Sequence, residues 1–171
     1  MNRKLTLLLS LMAVLIAISA CAKLPESPVS WRDVSLRDVA TDESFKISDF
    51  KGKVVVLETM SVWCSTCTEQ QTEIAQAQDS LGDEVVFITL EIDANEHEAT
   101  VLEHADRHGF GWFFAISPLE LSSQLEAEFG TNFLNPSSSP ILVLDVEQGA
   151  HLLRYGHKSA EELIGDIARY L

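Results

Sequence analysis

Lys53-Val54-Val55-Val56-Leu57-Glu58-Thr59-Met60-Ser61-Val62-Trp63-Cys64-Ser65-Thr66-Cys67 is the segment from which the architecture of this chain can be worked out. Its first half is a continuous apolar run rich in β-branched residues, which suits a central strand buried on both faces. Its second half places two cysteines three apart, ahead of a run with helical character that extends to about Ser80, with Leu81 closing the apolar side and Gly82 as the stop. A cysteine at a strand-to-helix junction lies at a helix N-terminus, where unpaired backbone N–H groups and the helix dipole favour a thiolate. The second cysteine lies one turn further in, within reach of the first. Such a pair can close a small disulfide, open it, and pass two electrons through a mixed disulfide. The competing reading is half of a zinc site, which needs a second pair of Cys or His ligands at matching spacing. The chain holds no second CxxC, and a CxxC beside a strand–helix pattern favours redox chemistry.

Upstream, Asn2-Arg3-Lys4 precedes an almost unbroken apolar run from Leu5 to Ile18. The run falls short of the roughly 20 residues a spanning helix needs, so residues 1–20 read as a signal peptide. Ile18-Ser19-Ala20-Cys21 resembles the bacterial lipobox, in which the cysteine is lipidated and becomes the mature N-terminus; the other reading is an ordinary cleavage site beside an accidental cysteine. Without lipid, Cys21 is an odd thiol in an exported protein. Export follows the general secretory route, since no twin arginine is present. Residues 21–30 then form a lipidated N-terminus and polar tether, and residues 31–171 one domain. Losing Arg3 and Lys4 with the signal takes the net charge from −14 to −16. That acidity excludes nucleic acid, whose phosphates need a basic face, and electrostatic docking on anionic lipid. A salt-adapted source would give the same acidity. Cys64 and Cys67 remain as an even pair in an oxidising compartment.

Val34 and Leu36, a turn at Thr41–Ser44, and Phe45–Ile47 form a small β prelude. Val85–Leu90 reads as a second buried strand. Asn95 as cap, Glu98 three residues on and Gly109 as stop predict a helix over Glu96–His108. Trp112–Ile116 reads as a strand, Leu121–Phe129 as a helix stopped by Gly130, and Ile141–Leu144 as a strand turning through Glu147–Gly149 to a hairpin partner at His151–Tyr155. Ser159 and Glu162 make a capping box for a last helix with Leu163, Ile164, Ile167 and Leu171 at helical spacing. Alternating strands and helices closed by a hairpin describe an α/β fold around a mixed sheet.

Lys51–Leu57, Trp63–Cys67 and Ser139–Asp145 together resemble the membrane-tethered thioredoxin-like lipoproteins of the TlpA, ResA and DsbE type, across residues 31–171. The resemblance implies a thioredoxin-like fold, a central mixed sheet flanked by helices, with Glu96–His108 as an inserted helix. It implies an exported thiol–disulfide oxidoreductase in which Cys64 attacks and Cys67 resolves, anchored through Cys21 on the outer face of a membrane, monomeric, and more often reductant than oxidant. The implied partners are a membrane electron donor of the DsbD or CcdA type and clients such as an apocytochrome c or a metal-site assembly protein. No cofactor beyond the disulfide and the lipid is implied. Pro140 falls where the family keeps a cis proline opposite the disulfide, which would present the backbone of Ser139 to an incoming peptide; the alternatives are a trans proline opening a strand, or Pro136 in that role. Glu58 stands six residues before Cys64, where thioredoxins carry a buried acid that moves the resolving thiol's proton. Its other reading is a carboxylate turned to solvent or to a basic partner. Trp63 is a contact for partners or simple core. Thr59-Met60-Ser61 and Ser65-Thr66 depart from the aromatic pair and the proline-containing dipeptide of many relatives.

His97, His104 and His108, at i, i+7 and i+11, share one stripe of the Glu96–His108 helix, which could hold a metal as in copper chaperones of thioredoxin-like fold. Those chaperones use CxxxC, and the stripe also borders Val101 and Ala105, so partly buried or solvated histidines are the plainer expectation. His151 and His157 support no sharper reading. A peroxiredoxin-like antioxidant needs a proline ahead of its cysteine, and none lies between Lys51 and Cys67. A non-catalytic binding module with an inert disulfide is the remaining alternative.

Overall fold

The computed structural model describes residues 29–93 and 95–171. The expected signal peptide, Cys21 and the expected tether as far as Pro28 lie outside the described residues. Among those described, no helix is long and apolar enough to cross a membrane.

The prelude is a short antiparallel pair, β1 (Leu36–Arg37) and β2 (Ser44–Phe45). The main sheet is built from β3 (Val54–Met60), β4 (Val85–Glu91), β5 (Phe113–Ile116), β6 (Ile141–Leu144) and β7 (Ala150–Leu152), in the order β5-β4-β3-β6-β7. β3, β4 and β5 are parallel to one another, while β6 runs antiparallel to both β3 and β7. The sheet is therefore mixed, and the C-terminal ends of β3 to β5 meet the start of β6 along one edge.

All seven residues of β3 are buried, because the strand is central and covered on both faces. Its residues alternate between two cores. Val54, Val56 and Met60 pack with Ile74 of α1 (Ser65–Leu81), Val101 of α2 (Glu98–His108) and Leu163 of α4 (Ala160–Ile167). Val55 and Leu57 pack on the other side with Trp31, Leu36 and Phe45, and with Leu121 and Leu125 of α3 (Leu119–Phe129). This is a thioredoxin-like α/β fold, the one the resemblance implies, within the α/β class that the alternation of strands and helices predicts.

Several boundaries differ from the sequence reading. α2 starts at Glu98, because the Asn95 backbone and side-chain amides both donate to Asp93 Oδ1, at 3.0 and 3.2 Å. That local turn satisfies Asn95 before the helix begins, and His97 takes the cap position instead. α3 starts two residues early, at Leu119. β7 ends at Leu152, since the chain then leaves the sheet, with the Gly156 N–H donating to the Ser138 carbonyl at 2.7 Å. α4 carries the predicted Ser159–Glu162 capping box, but it stops at Ile167 and leaves Leu171 exposed.

The stretch before β6 folds as two 3-10 turns, Thr131–Leu134 and Pro136–Ser138. No described peptide bond is cis, which corrects the expectation for Pro140. Ser139 adopts the left-handed region (φ 46°, ψ 58°) at the end of the second turn. That residue reverses the chain into β6 through its own dihedrals, so a trans Ser139–Pro140 bond suffices.

Candidate active site

Cys64 is the N-cap of α1. Its Sγ accepts the Cys67 backbone N–H at 3.3 Å and lies 3.2 Å from the Thr66 hydroxyl. A sulfur at this position faces the unpaired N–H groups of the first helical turn, the arrangement that favours a thiolate. Cys64 and Cys67 are joined as a disulfide, with Cα atoms 5.3 Å apart. Cys67 is more enclosed, and its Sγ lies 3.4 Å from the Pro136 carbonyl oxygen. The two sulfurs thus sit in different surroundings, Cys64 facing donors and Cys67 facing an acceptor. Trp63, directly ahead of the pair, is 65% exposed, so it lies on the surface and not in the core.

The turn opposite the disulfide differs from the resemblance. Pro136, not Pro140, brings its carbonyl to Cys67. Ser139 is buried, its N–H donates to the Pro136 carbonyl and its own carbonyl accepts the Lys158 ammonium at 3.0 Å. Its backbone groups are satisfied internally and are not presented to an incoming chain. Thr59 supports the preceding turn by donating its hydroxyl to the Phe133 carbonyl at 2.6 Å.

Glu58 is buried, with one oxygen accepting two hydrogen bonds and the other bare. Oε2 accepts from Gln71 Nε2 at 3.2 Å and from Thr89 Oγ1 at 3.1 Å. Trp112 donates its indole N–H to Thr89 Oγ1 at 2.9 Å, so the Thr89 hydrogen is free to point at Glu58. Oε1 has no partner. Desolvation pushes the carboxyl up to about 8, against the Gln71 and Thr89 hydrogen bonds and the Lys158 charge, which pull it down. Gln71 stands four residues after Cys67 on α1, so Glu58 lies beneath the helix one turn from the resolving position.

Four further polar residues shape the site, and none stands out in the sequence. Gln70 and Gln71 are wholly buried side by side on α1. Gln70 clasps the Lys158 backbone, donating to its carbonyl at 3.0 Å and accepting its N–H at 2.8 Å. Glu91, at the end of β4, accepts the Val62 N–H at 2.8 Å and the Asp93 N–H at 2.8 Å, which pins the loop carrying Trp63. Burial raises the pKa of Glu91 against these bonds. Lys158 is buried completely. The only signal the sequence holds for the glutamines is their spacing of three and four from Cys67, which puts them on the inner face of α1.

The histidine stripe divides. His104 turns inward, its Nε2 2.8 Å from Gln71 Oε1, and desolvation lowers its pKa. His108 stacks on Phe110, with ring centroids 5.4 Å apart, and His97 lies outside the helix as its cap. Among the described residues, no group of three His, Cys, Asp or Glu side chains is placed to hold a metal ion.

A family model described as Redoxin matches residues 26–148. Among solved structures, the chain is similar to Mycobacterium tuberculosis DsbF in its mixed oxidised and reduced forms (17% identity, 85% of this chain and 100% of that one, TM-score 0.66). It is also similar to a thiol:disulfide interchange protein of the thioredoxin family from Chlorobium tepidum (16%, 80% and 92%, TM-score 0.67). A third similar structure is a secreted Mycobacterium tuberculosis disulfide oxidoreductase homologous to Escherichia coli DsbE (13%, 81% and 97%, TM-score 0.65). At these identities the structural likeness speaks for the fold, and the family match covers most of the chain. The chain belongs to the Redoxin family, as a thioredoxin-like thiol–disulfide oxidoreductase with Cys64 and Cys67 as its disulfide pair.

Proposed function

We propose that the protein is an exported, lipid-anchored thiol–disulfide oxidoreductase that acts chiefly as a reductant of protein disulfides. The observation that carries the reading is the asymmetry of the two sulfurs, with Cys64 capping α1 and Cys67 enclosed against Pro136. In the reduced protein, the Cys64 thiolate attacks a client disulfide, forming a mixed disulfide and releasing one client thiolate. Cys67 then loses its proton, to the ionised fraction of Glu58 or to water, and attacks Cys64 Sγ. The mixed disulfide breaks, the second client thiolate leaves, and two electrons have passed to the client. Exposed Trp63 offers the client an apolar contact beside the pair.

The reductant direction is supported by the resemblance to TlpA-type lipoproteins, as are a DsbD- or CcdA-type membrane donor, clients of the apocytochrome c or metal-site assembly kind, and action as a monomer. Export and anchoring are supported by the apolar N-terminal run and the lipobox-like Cys21, and one similar structure is of a secreted protein. A Cys67→Ser variant tests the exchange: it should trap mixed disulfides with exported proteins, and trapping none would sink the proposal. A Cys64–Cys67 reduction potential near thioredoxin's, about −270 mV, supports the reductant direction, and one near about −120 mV reverses it. Cys21→Ser should release the protein from membranes, and a variant that stays bound would remove the lipid anchor.

A further inference from the structure

Lys158 lies between the β7 hairpin and the Ser159 cap of α4, in a local sequence, His157-Lys158-Ser159, that reads as solvent-facing loop. Yet none of the residue is exposed. Lysine is almost never fully buried unless paired. Here the ammonium donates to two main-chain carbonyls, Ser139 at 3.0 Å and Gly156 at 2.8 Å. Among the described residues, no carboxylate comes within 4.0 Å of it. The positive charge is therefore solvated by carbonyl dipoles, not neutralised by a partner.

Two short paths lead from this charge to the disulfide. Ser139 ends the turn whose Pro136 carbonyl touches Cys67 Sγ. Gln70, three residues after Cys67 on the same helix, clasps the Lys158 backbone through both of its amide atoms. Four charged side chains face the ammonium at longer range: Glu58 on β3, Glu162 and Asp166 on α4, and Arg154 just after β7. Burial, then Arg154, lower its pKa to about 8 in opposition to the three acids.

We propose that Lys158 is a positioning residue of the redox site, whose ammonium holds the Pro136–Pro140 turn against Cys67 and whose charge favours the reduced, thiolate-bearing pair over the disulfide. The disulfide carries no charge, whereas the reduced pair carries one on Cys64 when it ionises. A fixed cation nearby stabilises only the second state. When dithiothreitol reduces the protein, the Cys64–Cys67 bond breaks and dithiothreitol closes its own ring disulfide. Two electrons pass to the protein; of the two protons given up by the dithiothreitol thiols, one goes to Cys67 and the other goes to Cys64 or to water.

The inference rests on Cys64–Cys67 being a reversible redox pair, and does not depend on the direction of physiological electron flow. The test is equilibration of the wild-type protein, Lys158→Met and Lys158→Arg in dithiothreitol redox buffers, with the redox state read by alkylation and mass. Lys158→Met should shift the constant about tenfold towards the disulfide, or about 30 mV. Lys158→Arg, which keeps the charge, should stay within about twofold of wild type on this reasoning. A lysine that serves stability alone would weaken both redox states alike, so an unmoved constant in the Met variant overturns the proposal. So does an Arg variant that moves as far as Met. Should the Met variant fail to fold, the wild-type protein decides: the Lys158 side-chain nitrogen, followed by NMR, should titrate at higher pH in the dithiol than in the disulfide state, by reciprocity of the coupling. Equal midpoints overturn the proposal. A wild-type pair that dithiothreitol does not open would remove the redox reading and this inference together, whereas a normal wild-type equilibrium with unmoved variants removes this inference alone.

Discussion

Replacing Glu58 by glutamine should abolish a specific dependence of stability on pH. In the folded chain, Glu58 keeps its proton up to about pH 8, while the unperturbed carboxyl releases it near 4.5. Between those values the folded state binds more protons than the unfolded one, so stability falls as pH rises. The contribution is fully present below pH 4.5 and is lost as pH passes through 8. Each pH unit in that window costs about 1.4 kcal/mol, or about 4 kcal/mol from pH 5 to pH 8. In the Glu58→Gln variant the side-chain amide keeps an acceptor for Gln71 and Thr89 and places its NH2 where Oε1 now lies without a partner. Any cost of that bare NH2 is a constant offset, and the slope alone carries the prediction. Lys158 acts outside the window: its depressed pKa makes stability rise between about 8 and its ordinary value of 10.5. Glu91 and His104 are common to both proteins and cancel to first order in the comparison. The assay is urea unfolding of the oxidised wild-type and Glu58→Gln proteins at pH 5, 6, 7 and 8, at fixed ionic strength. Parallel stability curves would refute the assignment of a neutral, buried Glu58.

Three further outcomes follow from the same geometry. Gln70→Ala leaves the Lys158 N–H and carbonyl buried without partners and should cost about 2–6 kcal/mol in urea unfolding, since each orphaned group costs about 1–3 kcal/mol. Gly109 closes α2 at φ 71°, and a Cβ there would meet nothing within 4 Å. Gly109→Ala should therefore show the backbone strain alone, about 1 kcal/mol in thermal unfolding. Trp63→Ala, at an exposed position, should leave stability within about 0.5 kcal/mol and slow reduction of a protein disulfide such as insulin while leaving exchange with a small disulfide unchanged. Equal slowing of both substrates would argue against a docking role.

The β-branched run at Val54–Leu57 reads as a central strand because only a strand covered on both faces tolerates so continuous an apolar surface, and the two cores divide its residues by alternation. The CxxC at a strand-to-helix junction is enough to place Cys64 at a helix N-terminus, since capping is decided by neighbours within four residues. The Ser159–Glu162 capping box and the glycine stops at Gly82 and Gly109 are legible for the same reason. Asn95 is a false cap signal because Asp93, two residues away, competes for its amides with equal locality.

The chemistry around the disulfide is a tertiary matter. Glu58 is a candidate acid in the sequence, but its neutrality depends on Gln71, Thr89 and the cover over β3, which come from other elements. Pro140 is the proline that the family resemblance sets opposite the disulfide, whereas the left-handed turn at Ser139 puts the Pro136 carbonyl there instead. Gln70, Gln71, Glu91, His104 and Lys158 have polar side chains whose burial the sequence does not settle. They are buried because partners 13 to 88 residues away complete their hydrogen bonds. The strand, the helix cap and the cysteine pair are written in the chain itself, because each is settled by residues a few positions apart. Which polar groups lie beneath that pair, and in what state of charge, emerges only on folding, because desolvation and hydrogen-bond satisfaction depend on residues brought together from distant parts of the chain.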